Sequence, residues 1–158
     1  MSMKEKMLRM LGDAISEVFE TMFFLSPTPL GQGEIKGCRE GGGREVAVQI
    51  ETEDQACRIV LVLPASVLRT MSVNMLGRSE EGDSWETILD TAREAANMVA
   101  GAFLTRLDSG FRRPLGVPEV LSAFDGSSKE WILYAANVDG ETVRSYLLMR
   151  DAQEGFAG

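Results

Sequence analysis

The chain has 158 residues, 44% of them hydrophobic, with 16 Lys+Arg against 24 Asp+Glu and a net charge of −8; this is the size of one domain with material for a real core, and its acidity disfavours a phosphate backbone as partner. It contains no histidine, which removes Ser-His-Asp and Cys-His nucleophile systems, histidine metal sites and phosphohistidine relays. Its two cysteines, Cys38 and Cys57, are too few for a zinc cage and read as free thiols of a reducing compartment.

In chain order, residues 4–24 place Leu8, Leu11, Ile15, Val18, Phe19 and Met22 three and four apart, the spacing of a helix, which Pro27 and Pro29 end. Arg9, Asp13 and Glu17 interrupt the apolar stretch that a signal peptide would need. No uncharged run approaches the roughly 20 residues that cross a bilayer, so a cytoplasmic protein without membrane contact is expected. Three strands are predicted next, over residues 33–38, 44–52 and 56–63. The tip between the first two, Glu40-Gly41-Gly42-Gly43, reads as a turn, since no Lys-Ser/Thr follows to make a phosphate loop. Residues 64–76 predict a shorter helix closed by Gly77. A polar loop, 78–83, ends at Asp83, which with Glu86 forms a capping box for a long helix over 84–107. A loop at 110–116 and a segment 117–124 containing Pro118 lead to two strands, 131–138 and 142–150. Asp139-Gly140 between them is a strong hairpin signal, and residues 152–158 are expected to form a flexible tail. The order predicts a single α+β domain over 1–158, with a largely antiparallel sheet and two long helices on one face. Each long helix opens one of two pseudo-repeated halves.

At 100° per residue, Ile88, Ala92, Ala95, Val99, Ala102 and Phe103 share one arc of the long helix, the expected core stripe. Asp90, Glu94, Asn97 and Gly101 fall in an arc of about 60° on the opposite side. Asparagine is a poor residue in mid-helix, and glycine there costs about 1 kcal/mol relative to alanine. Two such choices in one stripe mark it as a candidate site. The first helix repeats the spacing as Asp13, Glu17 and Glu20, again opposite its apolar stripe. No nucleophile lies at useful spacing from a base, so an unrelated hydrolase is disfavoured.

The run Asp90-xxx-Glu94-xx-Asn97-Met98-Val99-Ala100-Gly101, followed by Gly116-Val117-Pro118-Glu119-Val120 and later Gly126, resembles the chemotaxis phosphatases CheX, CheC and FliY. The segment Glu17-Val18-Phe19-Glu20-Thr21-Met22-Phe23-Phe24 is similar to the opening helix of CheX-like domains. In that family the Glu/Asn pair occurs in one half or in both. Glu20 stands where the first copy would need an amide, so the pattern is CheX-like with one working site. The resemblance implies hydrolysis of the aspartyl phosphate of a CheY-like response-regulator receiver, with Asn97 positioning the water and Glu94 pairing with a receiver lysine. It implies Asp90, Gly101 and Leu104 as partner contacts and Pro118 as a structural mark of the motif, while Phe111 is expected as an apolar contact only of a non-catalytic binding module. The chain would need no metal or cofactor of its own, magnesium being expected on the receiver. A homodimer paired through sheet edges is also implied. The alternative is a non-catalytic module of the same kind that binds receivers or flagellar-switch proteins.

Overall fold

The structure, a computed structural model, describes residues 1–37, 44–77, 84–107 and 113–150. Ser2 opens helix α1 (Met3–Met22): its hydroxyl accepts the Glu5 N–H at 3.1 Å, occupying one of the orphan donors of a helix start. After α1 come β1 (Thr28–Pro29), α2 (Gln32–Gly37), the hairpin β2 (Glu45–Glu51) and β3 (Cys57–Pro64), and α3 (Ala65–Leu76). Helix α3 ends on Gly77, whose φ of 67° is the left-handed conformation that glycine adopts without strain. The second half runs α4 (Trp85–Leu107), β4 (Glu119–Leu121), β5 (Ile132–Val138) and β6 (Glu141–Met149). Asp139 and Gly140 carry φ of 52° and 84°, as a two-residue hairpin turn requires, so the β5–β6 connection forms as the sequence predicts.

The six strands lie in the order β1-β5-β6-β3-β2-β4, and every pairing is antiparallel. This order carries the repeat. Each half contributes a long helix, a short strand and a hairpin, and each short strand crosses over to pair with the other half's hairpin, β1 on β5 and β4 on β2. The halves meet at β3 and β6, where Leu61 faces Ser145 and Val60 faces Tyr146.

One sheet face is covered by helix. Val46, Val48 and Ile50 of β2 and Ile59, Leu61 and Leu63 of β3 join the apolar stripes of α1 and α4 in a single buried cluster. The opposite face holds a smaller cluster, Val60, Val62 and Tyr146, shielded by Phe124 and Trp131. There the Phe124 and Tyr146 rings meet edge to face at 4.9 Å. Cys57 is buried in the main core, and burial pushes its thiol up to about 12. Among the described residues no helix is long and apolar enough to cross a membrane.

One predicted strand is wrong. Over 33–37 the chain does not extend: Gln32–Gly37 is the short helix α2. The Glu34 carboxylate reaches back to accept the Gly31 N–H at 3.1 Å, and the Ile35 N–H bonds to the Gly31 carbonyl at 3.0 Å. A Gly-Glu-Ile-Lys stretch holds one apolar residue and a glutamate placed to cap its own turn, which supports a helical turn better than a ladder. The edge strand β1 was not anticipated. The Gly41–Gly43 tip, Cys38, Asp83 and the rest of loop 78–83, Phe111 and the tail 152–158 lie outside the described residues.

Glycine at position 12 is set by packing. A Cβ there would stand 2.7 Å from Cε2 of Tyr134, so α1 can lie on β5 only because this residue has no side chain. Gly12→Ala should therefore cost about 1–3 kcal/mol by overpacking a buried contact. The checking measurement is the midpoint of chemical denaturation, and an unchanged midpoint would show that α1 rides higher on the sheet.

Candidate functional site

Helix α4 is fastened at both ends. At its start the Ser84 hydroxyl accepts the Thr87 N–H at 3.2 Å, so the observed cap is Ser84; the cap expected one residue earlier, at Asp83, falls outside the described residues. The Arg44 guanidinium lies 3.7 Å above the Trp85 ring, tying the first turn to the strand that begins β2. In the last turn Arg106 reaches Glu17 of α1 at 2.6 Å. Between these ties the buried residues Ile88, Thr91, Ala92, Ala95, Ala96, Val99, Ala100, Phe103 and Leu104 face inward. The buried arc is wider than the predicted stripe because α1 and α3 pack beside α4 as well as the sheet beneath it. Ala102 is only partly buried, on the margin of that arc.

What remains outward is the ridge. Asp90, Glu94 and Asn97 are exposed and Gly101 is partly exposed. Among the described residues the Glu94 carboxylate and the Asn97 carboxamide have no hydrogen-bond or ion-pair partner within the chain, whereas Asp90 is held by Arg93 at 2.7 Å. Leu104, expected as an apolar partner contact, is corrected: it is 5% exposed and belongs to the core. It lies only about 60° from Gly101 by helical angle, but the widened arc claims it. Pro118 is not part of the ridge. It leads into β4, the edge strand paired with β2, where its missing N–H costs no ladder bond.

The corresponding positions of the first half are also exposed. Asp13, Glu17 and Glu20 lie on the open side of α1, and Glu17, the counterpart of Glu94, is taken by Arg106. The two halves thus differ in more than the missing amide, because one glutamate is unpartnered and the other is bound across the helices. Neither Arg93 nor Arg106 was singled out by sequence reasoning. The i,i+3 spacing from Asp90 could have indicated Arg93, but nothing local indicates the Arg106–Glu17 contact.

In chemical terms the ridge offers a carboxylate and a neutral amide that can donate and accept. It offers no hydroxyl or thiol nucleophile and no imidazole. Among the described residues no group of three or more His, Cys, Asp or Glu side chains is placed to hold a metal ion. A site of this kind needs a reactant that arrives already activated.

The family model described as chemotaxis phosphatase CheX matches residues 46–131, more than half of the chain and including the whole of α4. The chain belongs to the CheX family. Its fold is similar to that of the chemotaxis protein CheX from Vibrio vulnificus, with a TM-score of 0.69 at 18% identity over 94% of this chain and 99% of that one. CheX from Desulfovibrio desulfuricans gives 0.69 at 17% identity, over 91% and 99%. The CheX–CheY–BeF3–Mg complex from Borrelia burgdorferi gives 0.60 at 17% identity, over 90% and 96%. No curated protein matches the sequence significantly.

Gly101 separates packing from recognition. An added Cβ at this position would meet nothing within 4 Å among the described residues, so no packing contact there requires a glycine. Gly101→Ala should raise stability by about 1 kcal/mol through helix propensity, a gain of roughly 2–4 °C in Tm for a domain of this size. If the glycine instead clears room for a partner, the same variant should weaken partner engagement. Calorimetry read beside a binding titration checks both signs, and a fall in Tm would remove the assignment.

Proposed function

We propose that this CheX-family protein accelerates hydrolysis of the aspartyl phosphate on a CheY-like response-regulator receiver, by laying the Asp90–Gly101 face of α4 against the phosphorylated site. The observation that carries the reading is the pair of side chains Glu94 and Asn97, unpartnered among the described residues and one helical turn apart on a helix tied at both ends.

The chemistry suits these groups. An acyl phosphate is reactive without a protein nucleophile, and magnesium expected on the receiver would neutralise its oxygens. The remaining task is to hold one water in line with the P–O bond. The Asn97 carboxamide oxygen can accept a hydrogen bond from that water while its NH2 donates one to a neighbouring oxygen. Positioning of this kind supplies on the order of 10²-fold, or about 2.7 kcal/mol. Glu94, unpaired among the described residues, is available to a receiver cation and would set the depth of the amide. The CheX–CheY pairing in the Borrelia burgdorferi complex supports a receiver as the partner class. A homodimer through sheet edges, carried over from the family, would form more readily on β4 than on β1, which is two residues long and includes Pro29.

Steady-state phosphate release from a phosphorylated receiver tests the roles separately. Asn97→Ala should keep the fold and lose nearly all acceleration in kcat, while Glu94→Ala should act mainly through a raised KM. An active Asn97→Ala variant would overturn the water-positioning role. Tight receiver binding with no change in phosphate release by the wild-type protein would favour the non-catalytic binding module.

A further inference from the structure

Arg93 is the basic side chain next to the proposed catalytic pair, and its position creates a competition. Along one face of α4 it can reach residues three and four away. Two of these carry acceptor groups: Asp90, one turn back, and Asn97, one turn on. Glu94 is its neighbour in sequence, and side chains at i,i+1 do not face each other on a helix. A guanidinium has five donors and no acceptor, so if it turned forward it would occupy the Asn97 carboxamide oxygen, the half of the amide that must accept from water.

In the structure Arg93 turns back: Nη1 lies 2.7 Å from Oδ1 of Asp90, and Asn97 is left without a partner among the described residues. The pair is a poor stabiliser, since the Asp90 side chain is 69% exposed. Asp90 also lies four residues before Glu94, where two uncompensated like charges would repel. A carboxylate at position 90 thus brings little to the fold and would burden the ridge if left unpaired. Both facts are accounted for if its work is to hold the arginine.

We propose that Asp90 is a positioning residue that restrains Arg93 and so keeps the Asn97 carboxamide free to meet its reactant. This goes beyond the peripheral partner contact that the resemblance implies for Asp90, and its catalytic consequence rests on the phosphatase reading above. The restraint itself is a property of the free protein and can be measured there.

Removal of the carboxylate should release Arg93. Side-chain pairs at i,i+3 and i,i+4 bias populations by about twofold, so with both acceptors competing about three fifths of molecules keep a free amide, and without Asp90 about a third. Asp90→Asn should accordingly lower kcat about twofold at saturating receiver. Asp90→Glu, which can still hold the arginine, should lose less than Asp90→Asn. Arg93→Ala should raise kcat by somewhat less than about twofold, and the double variant Asp90→Asn/Arg93→Ala should regain at least the wild-type value, because no guanidinium remains to be restrained. A merely structural role for Asp90 would not yield rescue by deletion of its partner. The second readout is independent of turnover. The Asn97 side-chain NH2 resonances in the free protein should shift one way in Asp90→Asn and the opposite way in Arg93→Ala, and the double variant should match Arg93→Ala. Failure of the double variant to regain kcat while Asn97→Ala loses it, or insensitivity of the amide resonances to Arg93 in the Asp90→Asn background, overturns the proposal. If the wild-type protein does not accelerate dephosphorylation while the resonances behave as described, the phosphatase reading fails and the restraint stands.

Discussion

Helix α4 is wedged over the sheet between α1 and α3, and four of its nine buried side chains are alanine, so the helix backbone lies close to β2 and β3. A helix that repeats every 3.6 residues has no freedom once that side is buried. The positions half a turn away must face solvent, and they are Asp90, Glu94, Asn97 and Gly101. The Arg44–Trp85 stack and the Arg106–Glu17 pair hold the two ends of this rod. Their shared effect is to fix the direction in which the amide is presented, and the reading of function depends on that direction.

The chemistry that this presentation permits is narrow. With no histidine in the chain, and with Cys57 buried and its thiol held protonated by burial, the described residues offer none of the usual activated nucleophiles. A carboxylate and an amide on an open helix face can orient and recognise, but they cannot generate a nucleophile from an inert substrate. They suit a partner that brings a labile bond and its own counterions. The interlocked halves sharpen the asymmetry. The topology supplies two related helices, yet on α1 the matching glutamate is spent on a contact with Arg106 and the amide is replaced by Glu20. One helix has become a brace for the other.

Much of this was legible in the residues. The period of the two long helices, Gly77 as a helix stop, the Asp139-Gly140 hairpin and the antiparallel character of the sheet follow from local chemistry, because each is decided within a few positions along the chain. The exposed Glu94 and Asn97 followed from helical angle alone. Three features were not legible for a common reason, which is that distant segments decide them. Leu104 is buried because α1 and α3 widen the covered arc of α4. Glu17 is engaged because Arg106, far along the chain, lies opposite it. The strand β1 exists because β5 offers it an edge. The error at 33–38 is of another kind, since Glu34 caps its own turn and local capping outweighed a weak strand signal.

The central claim is that an amide on a fixed helix hastens the loss of another protein's phosphate. The most direct measurement is the lifetime of an acyl-phosphorylated CheY-like receiver, with magnesium present, at saturating concentrations of this protein. A lifetime shortened on the order of 10²-fold is the predicted result. A lifetime equal to that of the receiver alone, across receivers that bind the α4 face, would contradict it.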